Sequence, residues 1–194
     1  SHYNLGNILT DLGNLQAAEF SYRKAIEIKP DYAEAHSNLG NILRDLGRLK
    51  EAEVSISKAI ELNPDFANAH SAMGIILTDL GRLKEAEVSI GKAIKLNPDS
   101  AMAYSNLGGI LLDLGKLQEA ELSLRKAIEL DPDFTKAYYS LSFLKYSDKN
   151  KIWQNQLFSE SILNNKTLEG QVDIYLARAN ILHKEKNYTE SAKY

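Results

Sequence analysis

Apolar residues recur at three- and four-residue steps along most of the chain, with short polar interruptions between the runs. Asp31 is predicted as the N-cap of one such run, Glu34 completes a capping box with it, and Gly47 is predicted to end the helix. Steps of three and four residues place side chains on one helical face, so this run predicts an amphipathic helix with one buried stripe. The stripe consists of Ala35, Leu39, Ile42, Leu43 and Leu46.

A second apolar stripe follows the glycine and ends just before Pro64. Because the residue before a proline is pushed out of helical geometry, the second helix is expected to end there. The two stripes together predict a pair of antiparallel helices joined by a short turn. The second stripe consists of Leu49, Ala52, Ile56, Ala59, Ile60 and Leu62.

The same pair of helices recurs every 34 residues and is marked each time by a proline–aspartate pair. One hairpin cannot cover its own apolar faces, so a fixed period of this size predicts stacked hairpins with a shared core. The chain is therefore predicted to be all-α, an α-solenoid, with repeats over 1–32, 33–66, 67–100 and 101–134. The four pairs are Pro30-Asp31, Pro64-Asp65, Pro98-Asp99 and Pro132-Asp133.

The recurring residues resemble the signature of the tetratricopeptide repeat. In the second repeat the matching residues are Leu39, Gly40, Leu43, Ala52, Ile56, Ala59 and Pro64, and the other three repeats match in the same way. The family has an aromatic residue at position 4, where this chain has His2, His36 and His70 before Tyr104 and Tyr138. The resemblance implies a right-handed superhelix of hairpins that binds proteins and catalyses no reaction.

The pattern weakens after the fourth repeat. A fifth unit opens with Tyr138, but Ser142 replaces the close-packing glycine. Its turn is predicted at Ser147-Asp148-Lys149-Asn150 and its second helix over 152–163.

A further apolar stripe over 172–182 and a turn-like segment over 186–192 predict a truncated sixth unit, so that 135–194 holds two degenerate repeats. Arg178 stands where the repeat expects a leucine. The tail from Lys151 onward resembles the segment that follows the repeats in cyanobacterial repeat–sulfotransferase proteins. Residue 1 falls near position 3 of a repeat, Tyr194 falls early in a second helix, and neither end has a polar capping helix, so the chain is expected to be part of a longer polypeptide.

The net charge and the amino-acid composition argue against several classes of function. The net charge of −3 and pI near 5.8 give no general attraction to nucleic acid or to an anionic membrane. The absence of cysteine excludes disulfides and thiolate metal sites, and with no secretory signal a cytoplasmic location is expected. His2, His36 and His70 lie one per repeat and are expected to be about 10 Å apart, too far to share a zinc ion. We therefore expect no cofactor, no metal and no enzymatic activity.

The first helices are expected to line a concave inner face, on which three repeat positions carry a polar pattern. Asparagine side chains both donate and accept hydrogen bonds, so a ladder of them can hold a peptide backbone. The position-6 asparagines Asn4, Asn38 and Asn106 resemble the asparagine array in the repeats of O-GlcNAc transferase, although Ala72 interrupts the series. Position 9 adds Asn7 and Asn41, and position 13 is Asp11, Asp45, Asp79 and Asp113.

Two interpretations of the aspartates remain open. A carboxylate in the last turn of a helix opposes the helix dipole, so helix stability does not explain four of them. Each aspartate either caps the next helix or pairs with Arg48, Arg82 or Lys116 across the turn, or else the four form an acidic stripe for a basic partner. The second and third repeats differ at eight positions. Four of these lie on the inner face: Glu34/Asn68, Asn38/Ala72, Asn41/Ile75 and Arg44/Thr78.

The chaperone-binding members of the family hold a terminal carboxylate with basic residues and asparagines. Asn7 and Asn38 match two positions of that clamp, but Tyr3, Asn68 and Ala72 stand where basic residues are needed. This mode of recognition is therefore not expected.

The sequence as a whole predicts a protein-interaction scaffold that binds an extended or helical protein segment through the inner face. The alternative is a spacer or dimerisation arm that positions a downstream catalytic domain, with self-association through exposed repeat ends. The candidate binding residues are Asn4, Asn7, Asp11, Asn38, Asn41, Arg44, Asp45, Asp79, Asn106 and Asp113.

Overall fold

The structure is a computed structural model that describes residues 1–144, 152–164 and 166–193. All regular secondary structure in these residues is helical, which confirms the predicted all-α class. They form two compact units, Ser1–Pro98 and Asp99–Tyr194. No helix in the described residues is long and apolar enough to cross a membrane.

The N-terminal unit consists of three helical hairpins. Within each hairpin the first helix packs against the second, and the second helix then packs against the first helix of the next hairpin. This stacking confirms the α-solenoid class. The helices are α1 (His2–Asp11), α2 (Leu15–Ile28), α3 (Ala33–Asp45), α4 (Leu49–Leu62), α5 (Ala67–Asp79) and α6 (Leu83–Leu96).

The turn inside each hairpin requires a left-handed backbone. Gly47 has φ +76°, a conformation that costs a residue with a Cβ atom much more than it costs glycine. Its N–H bonds the carbonyl of Arg44, and the N–H of Arg48 bonds that of Leu43, so the end of α3 is closed by backbone hydrogen bonds.

The predicted capping box at the start of α3 is wrong. The N-cap is Tyr32, whose carbonyl accepts hydrogen bonds from the N–H groups of Ala35 and His36. Asp31 lies one residue earlier, inside a turn closed by a hydrogen bond from the N–H of Tyr32 to the carbonyl of Lys29. The proline turn therefore continues one residue further than the sequence pattern suggests.

The histidines at position 4 bind the proline that ends the preceding repeat. His36 Nε2 lies 3.0 Å from the carbonyl oxygen of Pro30, and His70 Nε2 lies 2.8 Å from that of Pro64. In the C-terminal unit Tyr138 donates to the carbonyl of Pro132 at 3.1 Å. His36, His70 and Tyr138 thus make the same contact with a proline carbonyl from the same repeat position.

The C-terminal unit begins with one regular hairpin and continues with a less regular set of helices. Its elements are α7 (Ala101–Asp113), α8 (Leu117–Leu130), α9 (Thr135–Ser142), α10 (Ile152–Phe158), a 3-10 turn (Glu160–Leu163), α11 (Leu168–Lys184) and α12 (Tyr188–Ser191). The predicted turn at 147–150 lies outside the described residues. In this unit α9 packs against α11, and Ser142 accepts a hydrogen bond from Asn180 Nδ2 at 3.0 Å.

The prediction of one continuous helix over 152–163 is wrong, because α10 ends at Phe158. Arg178 is buried and donates to the carbonyls of Leu157 and Ser159, in each case at 2.8 Å. The guanidinium of α11 thus satisfies carbonyl groups that lose their helical partners where α10 stops. This contact gives a structural role to the arginine that replaces the expected leucine.

Candidate functional site: a polar pocket between the first two hairpins

The first helices α1 and α3 enclose a small polar pocket of 220 Å³. Five of the predicted binding residues line it, together with two hydroxyl side chains and one isoleucine. The lining residues are Asn7, Thr10, Asp11, Tyr22, Asn38, Asn41, Ile42 and Asp45.

Tyr22 reaches this pocket from the second helix of the hairpin because Gly6 has no side chain. A Cβ atom on Gly6 would lie 2.6 Å from Tyr22 Cε1, well inside contact distance. The ring passes beneath α1, so that the buried tyrosine brings its hydroxyl to the pocket. Burial raises the pKa of Tyr22 above its ordinary value, and the hydroxyl is therefore protonated at neutral pH.

The pocket contains a hydrogen-bond network centred on Asn7. Its side-chain oxygen accepts from the hydroxyl of Tyr22 at 2.8 Å and from Asn38 Nδ2 at 3.0 Å. Asn38 Nδ2 also lies 3.3 Å from the hydroxyl of Tyr3, and Thr10 Oγ1 lies 3.2 Å from that of Tyr22. The network joins the first two hairpins through their side chains.

These bonds fix the orientation of both amides. Because the oxygen of Asn7 accepts two hydrogen bonds, its amide nitrogen is turned away from them and remains a donor. The nitrogen of Asn38 is used within the network, so its oxygen remains an acceptor. Neither of these two remaining atoms has a partner among the residues that the structure describes. The pair therefore offers one donor and one acceptor, the same two groups that a peptide backbone unit complements.

The predicted pairing of the aspartates with the arginines across the turn is wrong for Arg48 and Arg82. Arg48 instead bonds Glu19 at 2.8 Å and Glu51 at 2.5 Å, and Arg82 bonds Glu53 and Glu85, in each case at 2.6 Å. These glutamates lie on the second helices, where the guanidinium groups can make several bonds at once. The arginines therefore do not act as counter-ions of Asp11, Asp45 and Asp79. These aspartates lie on the surface formed by α1, α3 and α5, here called the first-helix face.

Asp11 makes no ion pair or hydrogen bond with any residue that the structure describes. Asp45, on the same pocket, has only Arg44 Nη2 at 3.6 Å. The N-terminus of α2 is capped by the side chain of Asn14, which accepts from the N–H of Ala17 at 3.4 Å, so Asp11 does not cap that helix. Two carboxylates thus face a pocket that no lysine or arginine lines.

Arg44 and Asp79 form an ion pair on the first-helix face, outside the pocket. Arg44 Nε lies 3.1 Å from the carboxylate of Asp79, and the pair links α3 to α5. Arg44 therefore neutralises Asp79 and makes only the longer 3.6 Å contact with Asp45, while Asp11 has no partner among the described residues.

The remaining predicted residues do not join this pocket. Asn4 is exposed on α1, away from the pocket lining. In the C-terminal unit, Asn106 has its amide nitrogen buried with no hydrogen-bond partner among the described residues, and Asp113 is exposed at the end of α7. The position-6 asparagines are thus in three different environments.

Sequence reasoning missed Tyr3, Thr10 and Tyr22 as site residues. Tyr22 occupies a core position of the repeat that is Ile56, Ile90 or Leu124 elsewhere in the chain. A single polar aromatic residue at an otherwise aliphatic position was the available signal, since a buried tyrosine hydroxyl usually finds a hydrogen-bond partner.

Models of the tetratricopeptide repeat family match the chain without a gap from residue 6 to residue 134. A model described as TPR repeat matches 6–43, and two described as tetratricopeptide repeat match 33–66 with 101–134, and 67–100. The chain belongs to the tetratricopeptide repeat family. A search of curated protein sequences found no match. The comparisons give no support to a relation of the tail to sulfotransferase proteins.

Several solved structures resemble the chain in fold. Pseudomonas aeruginosa pilF has a TM-score of 0.80 at 21% identity, covering 99% of this chain and 86% of its own. YrrB, described as a TPR protein with an unusual peptide-binding site, has a TM-score of 0.64 at 25% identity, covering 95% and 90%. The first TPR of Spaghetti (RPAP3), bound to the HSP90 peptide SRMEEVD, has a TM-score of 0.57 at 24% identity, covering 59% and 90%. Proteins of this fold therefore include peptide binders.

Proposed function

We propose that this chain is a non-catalytic scaffold that binds a segment of another protein on its first-helix face. The polar pocket takes a lysine or arginine side chain of that segment between Asp11 and Asp45. The backbone beside that side chain bonds the free donor of Asn7 and the free acceptor of Asn38.

The observation that carries this proposal is the combination of unmatched charge and fixed amides in one pocket. Asp11 has no ion-pair partner among the described residues, and Asp45 has one at 3.6 Å. Asp11 and Asp45 are both exposed, so an ion pair with a partner's basic group contributes mainly to specificity, because an acidic segment in the same place meets two carboxylates. One similar structure with a bound peptide and one described as having a peptide-binding site support a peptide as the ligand.

The test uses a blocked peptide of about eight residues, long enough to cross two hairpins in extended form, with alanine and serine around one central arginine. Fluorescence anisotropy compares it with a twin that carries glutamate instead. The arginine peptide is expected to bind the full chain, and Asp11→Asn with Asp45→Asn to weaken binding by about tenfold or more.

Asp113→Asn is the matched control, because Asp113 occupies the same repeat position at the end of α7 in the other unit. Its affinity should equal that of the wild type. Equal binding of the arginine and glutamate peptides, or an unchanged affinity in the double aspartate variant, would rule out the pocket as the site.

A second candidate function is an assembly arm that positions another domain, and one observation favours it. Leu5 and Ile8 on α1 and Leu12 just after it are exposed, whereas Leu39 and Ile42, the equivalents of the first two in the next repeat, are buried. Self-association through this face predicts a dimer by light scattering that Ile8→Glu converts to a monomer. A wild-type chain that is already monomeric at high concentration would exclude this candidate.

A further inference from the structure

Each second helix of the N-terminal unit has one exposed apolar side chain at the same repeat position. Phe20 on α2, Val54 on α4 and Val88 on α6 have exposed fractions of 62%, 70% and 73%. Single exposed apolar residues are ordinary on protein surfaces, but here one recurs at the same position of three successive repeats. The outward face of an amphipathic helix does not need this residue for folding.

Val54 lines a cleft of 660 Å³ between α2 and α4. Leu39 and Leu43 of α3 line the cleft, with Ile26 of α2 and Val54 of α4. A volume of this size lies within the roughly 300–1,000 Å³ that is typical of binding clefts.

A near copy of this cleft, of 830 Å³, includes residues of α4, α5 and α6. Met73 and Leu77 of α5 occupy the positions of Leu39 and Leu43, and Val88 occupies that of Val54. Two neighbouring repeats therefore have the same apolar cleft lining, in which buried leucines form the floor and one exposed valine lies at the edge.

The glutamates that line both clefts form ion pairs within the chain, but one lysine at each cleft does not. Glu51 is paired with Arg48, and Glu85 with Arg82. Within the part of the chain that the structure covers, Lys50 and Lys84 make no ion pair, and each lines its own cleft. Each cleft thus combines an apolar lining with one unmatched positive charge.

We propose that these two clefts bind an amphipathic helix of another protein, with aliphatic side chains on one face and a glutamate or aspartate beside them. Leu39 and Leu43, which are 5% and 1% exposed, form the floor of the first cleft and lie four positions, or about 6 Å, apart along α3. Anchor side chains at positions i and i+4 of a partner helix have the same spacing, so two anchors fit over the lining of one cleft. The flanking carboxylate pairs with Lys50 or Lys84.

This surface is distinct from the polar pocket of the first-helix face. None of the residues that line the pocket lines either cleft. The charge preference is also opposite, because the pocket is acidic and the unmatched groups of the clefts are basic. The two binding events can therefore be tested separately on the full chain.

The probe is a blocked, fluorescein-labelled model peptide of about 18 residues, or five helical turns, with leucines along one face and glutamates beside them. A twin peptide carries lysine in place of each glutamate. In fluorescence anisotropy the glutamate peptide is expected to bind, and Val54→Asp with Val88→Asp to weaken it by about tenfold or more. Lys50→Glu with Lys84→Glu should weaken the glutamate peptide and strengthen the lysine peptide.

The control is Leu168→Asp, which places the same charge on a largely exposed leucine of α11 in the other unit and should leave the affinity unchanged. Circular dichroism checks that the valine variants, altered at exposed sites, keep their helix content. The proposal is overturned if neither peptide binds, if both bind equally, or if only the Asp11 and Asp45 variants lose binding. A dimer that Val54→Asp dissociates, without binding of the glutamate peptide, would identify a second copy as the occupant and also overturn it.

Discussion

Asn38 donates a hydrogen bond from its side-chain nitrogen to the side-chain oxygen of Asn7, 3.0 Å away, and so joins the first helices of two successive hairpins. The same oxygen accepts from Tyr22 at 2.8 Å. An asparagine that binds a ligand gains from being held in one orientation beforehand, because less conformational entropy is then lost on binding. The contact thus connects the packing of the repeats to the proposed site.

Tyr22→Phe tests this connection. It removes the hydroxyl from the network and is expected to lower the free energy of unfolding by about 1 kcal/mol. It should also weaken the arginine peptide, because Asn7 loses one of the two bonds that fix its amide. Urea denaturation and anisotropy measure the two effects. Tyr32→Phe, a change of the same kind in a half-buried tyrosine outside the pocket lining, should shift stability by less than about 0.5 kcal/mol.

Two glycines of the N-terminal unit are expected to respond oppositely to alanine. A Cβ atom on Gly40 would lie 2.5 Å from Ile56 Cγ1, so Gly40→Ala should lower the free energy of unfolding by roughly 1–3 kcal/mol. Gly91 has nothing within 4 Å of the same atom, and Gly91→Ala should raise stability by about 0.5–1 kcal/mol through helix propensity. Thermal unfolding of both variants measures the two changes in stability. Equal changes in the two variants would contradict the close approach of α3 and α4.

Arg178→Leu restores the residue that the repeat pattern expects and is nevertheless predicted to destabilise the C-terminal unit. The carbonyls of Leu157 and Ser159 would lose a charge-assisted donor, at a cost of about 1.5–3 kcal/mol. Hydrogen exchange should show faster exchange of the α10 amides than of the α11 amides. Arg178→Lys retains the charge but not the planar pair of donors, and an intermediate loss is expected. A stabilised leucine variant would show that the arginine is dispensable.

The buried tyrosine of α9 predicts a loss of stability at high pH. Burial raises the pKa of Tyr138 from about 10 to about 12, and its hydroxyl donates to the carbonyl of Pro132. In the unfolded chain the hydroxyl ionises first, so its contribution is complete below the ordinary pKa and is lost as the pH rises through the folded value. Tyr138→Phe should have a shallower decline of unfolding free energy in this range. Parallel declines for the two proteins would contradict the assignment.

The acidic peptide SRMEEVD that binds the first TPR of Spaghetti is expected not to bind this chain. The positions that need basic residues hold Tyr3, Asn68 and Ala72, and the pocket carries Asp11 and Asp45. Asp11→Lys with Asp45→Lys should improve binding of this peptide over the wild type, as measured by anisotropy. Binding of SRMEEVD to the wild type at micromolar concentration would refute the acidic character of the site.

The hairpins can be predicted well from the sequence, because the residues that define each helix and turn are close together and recur in every repeat. The two apolar stripes, Gly47 and Pro64 recur with a fixed period, and each acts within its own helix or turn. The capping of α3 was not predictable in the same way, because Asp31 is a good capping residue that the proline turn places one position too early.

The site depends on contacts that a single repeat does not encode. The choice of Arg48 between Asp45 and the glutamates Glu19 and Glu51 depends on the spacing of neighbouring second helices. Likewise, nothing in one helix shows that Tyr22 reaches beneath Gly6 into the pocket. The sequence thus predicts which face carries the polar residues, and tertiary packing decides which atoms remain free.

The near duplication of the apolar cleft in adjacent repeats has a consequence for strength of association. A partner that carries two short helices on one flexible linker would engage both clefts, and its second attachment would occur at an effective concentration near the millimolar range. Such bivalent attachment can exceed either single affinity by about 10²–10⁴-fold without any new contact. Two weak, similar sites side by side would then favour tandem motifs over isolated ones.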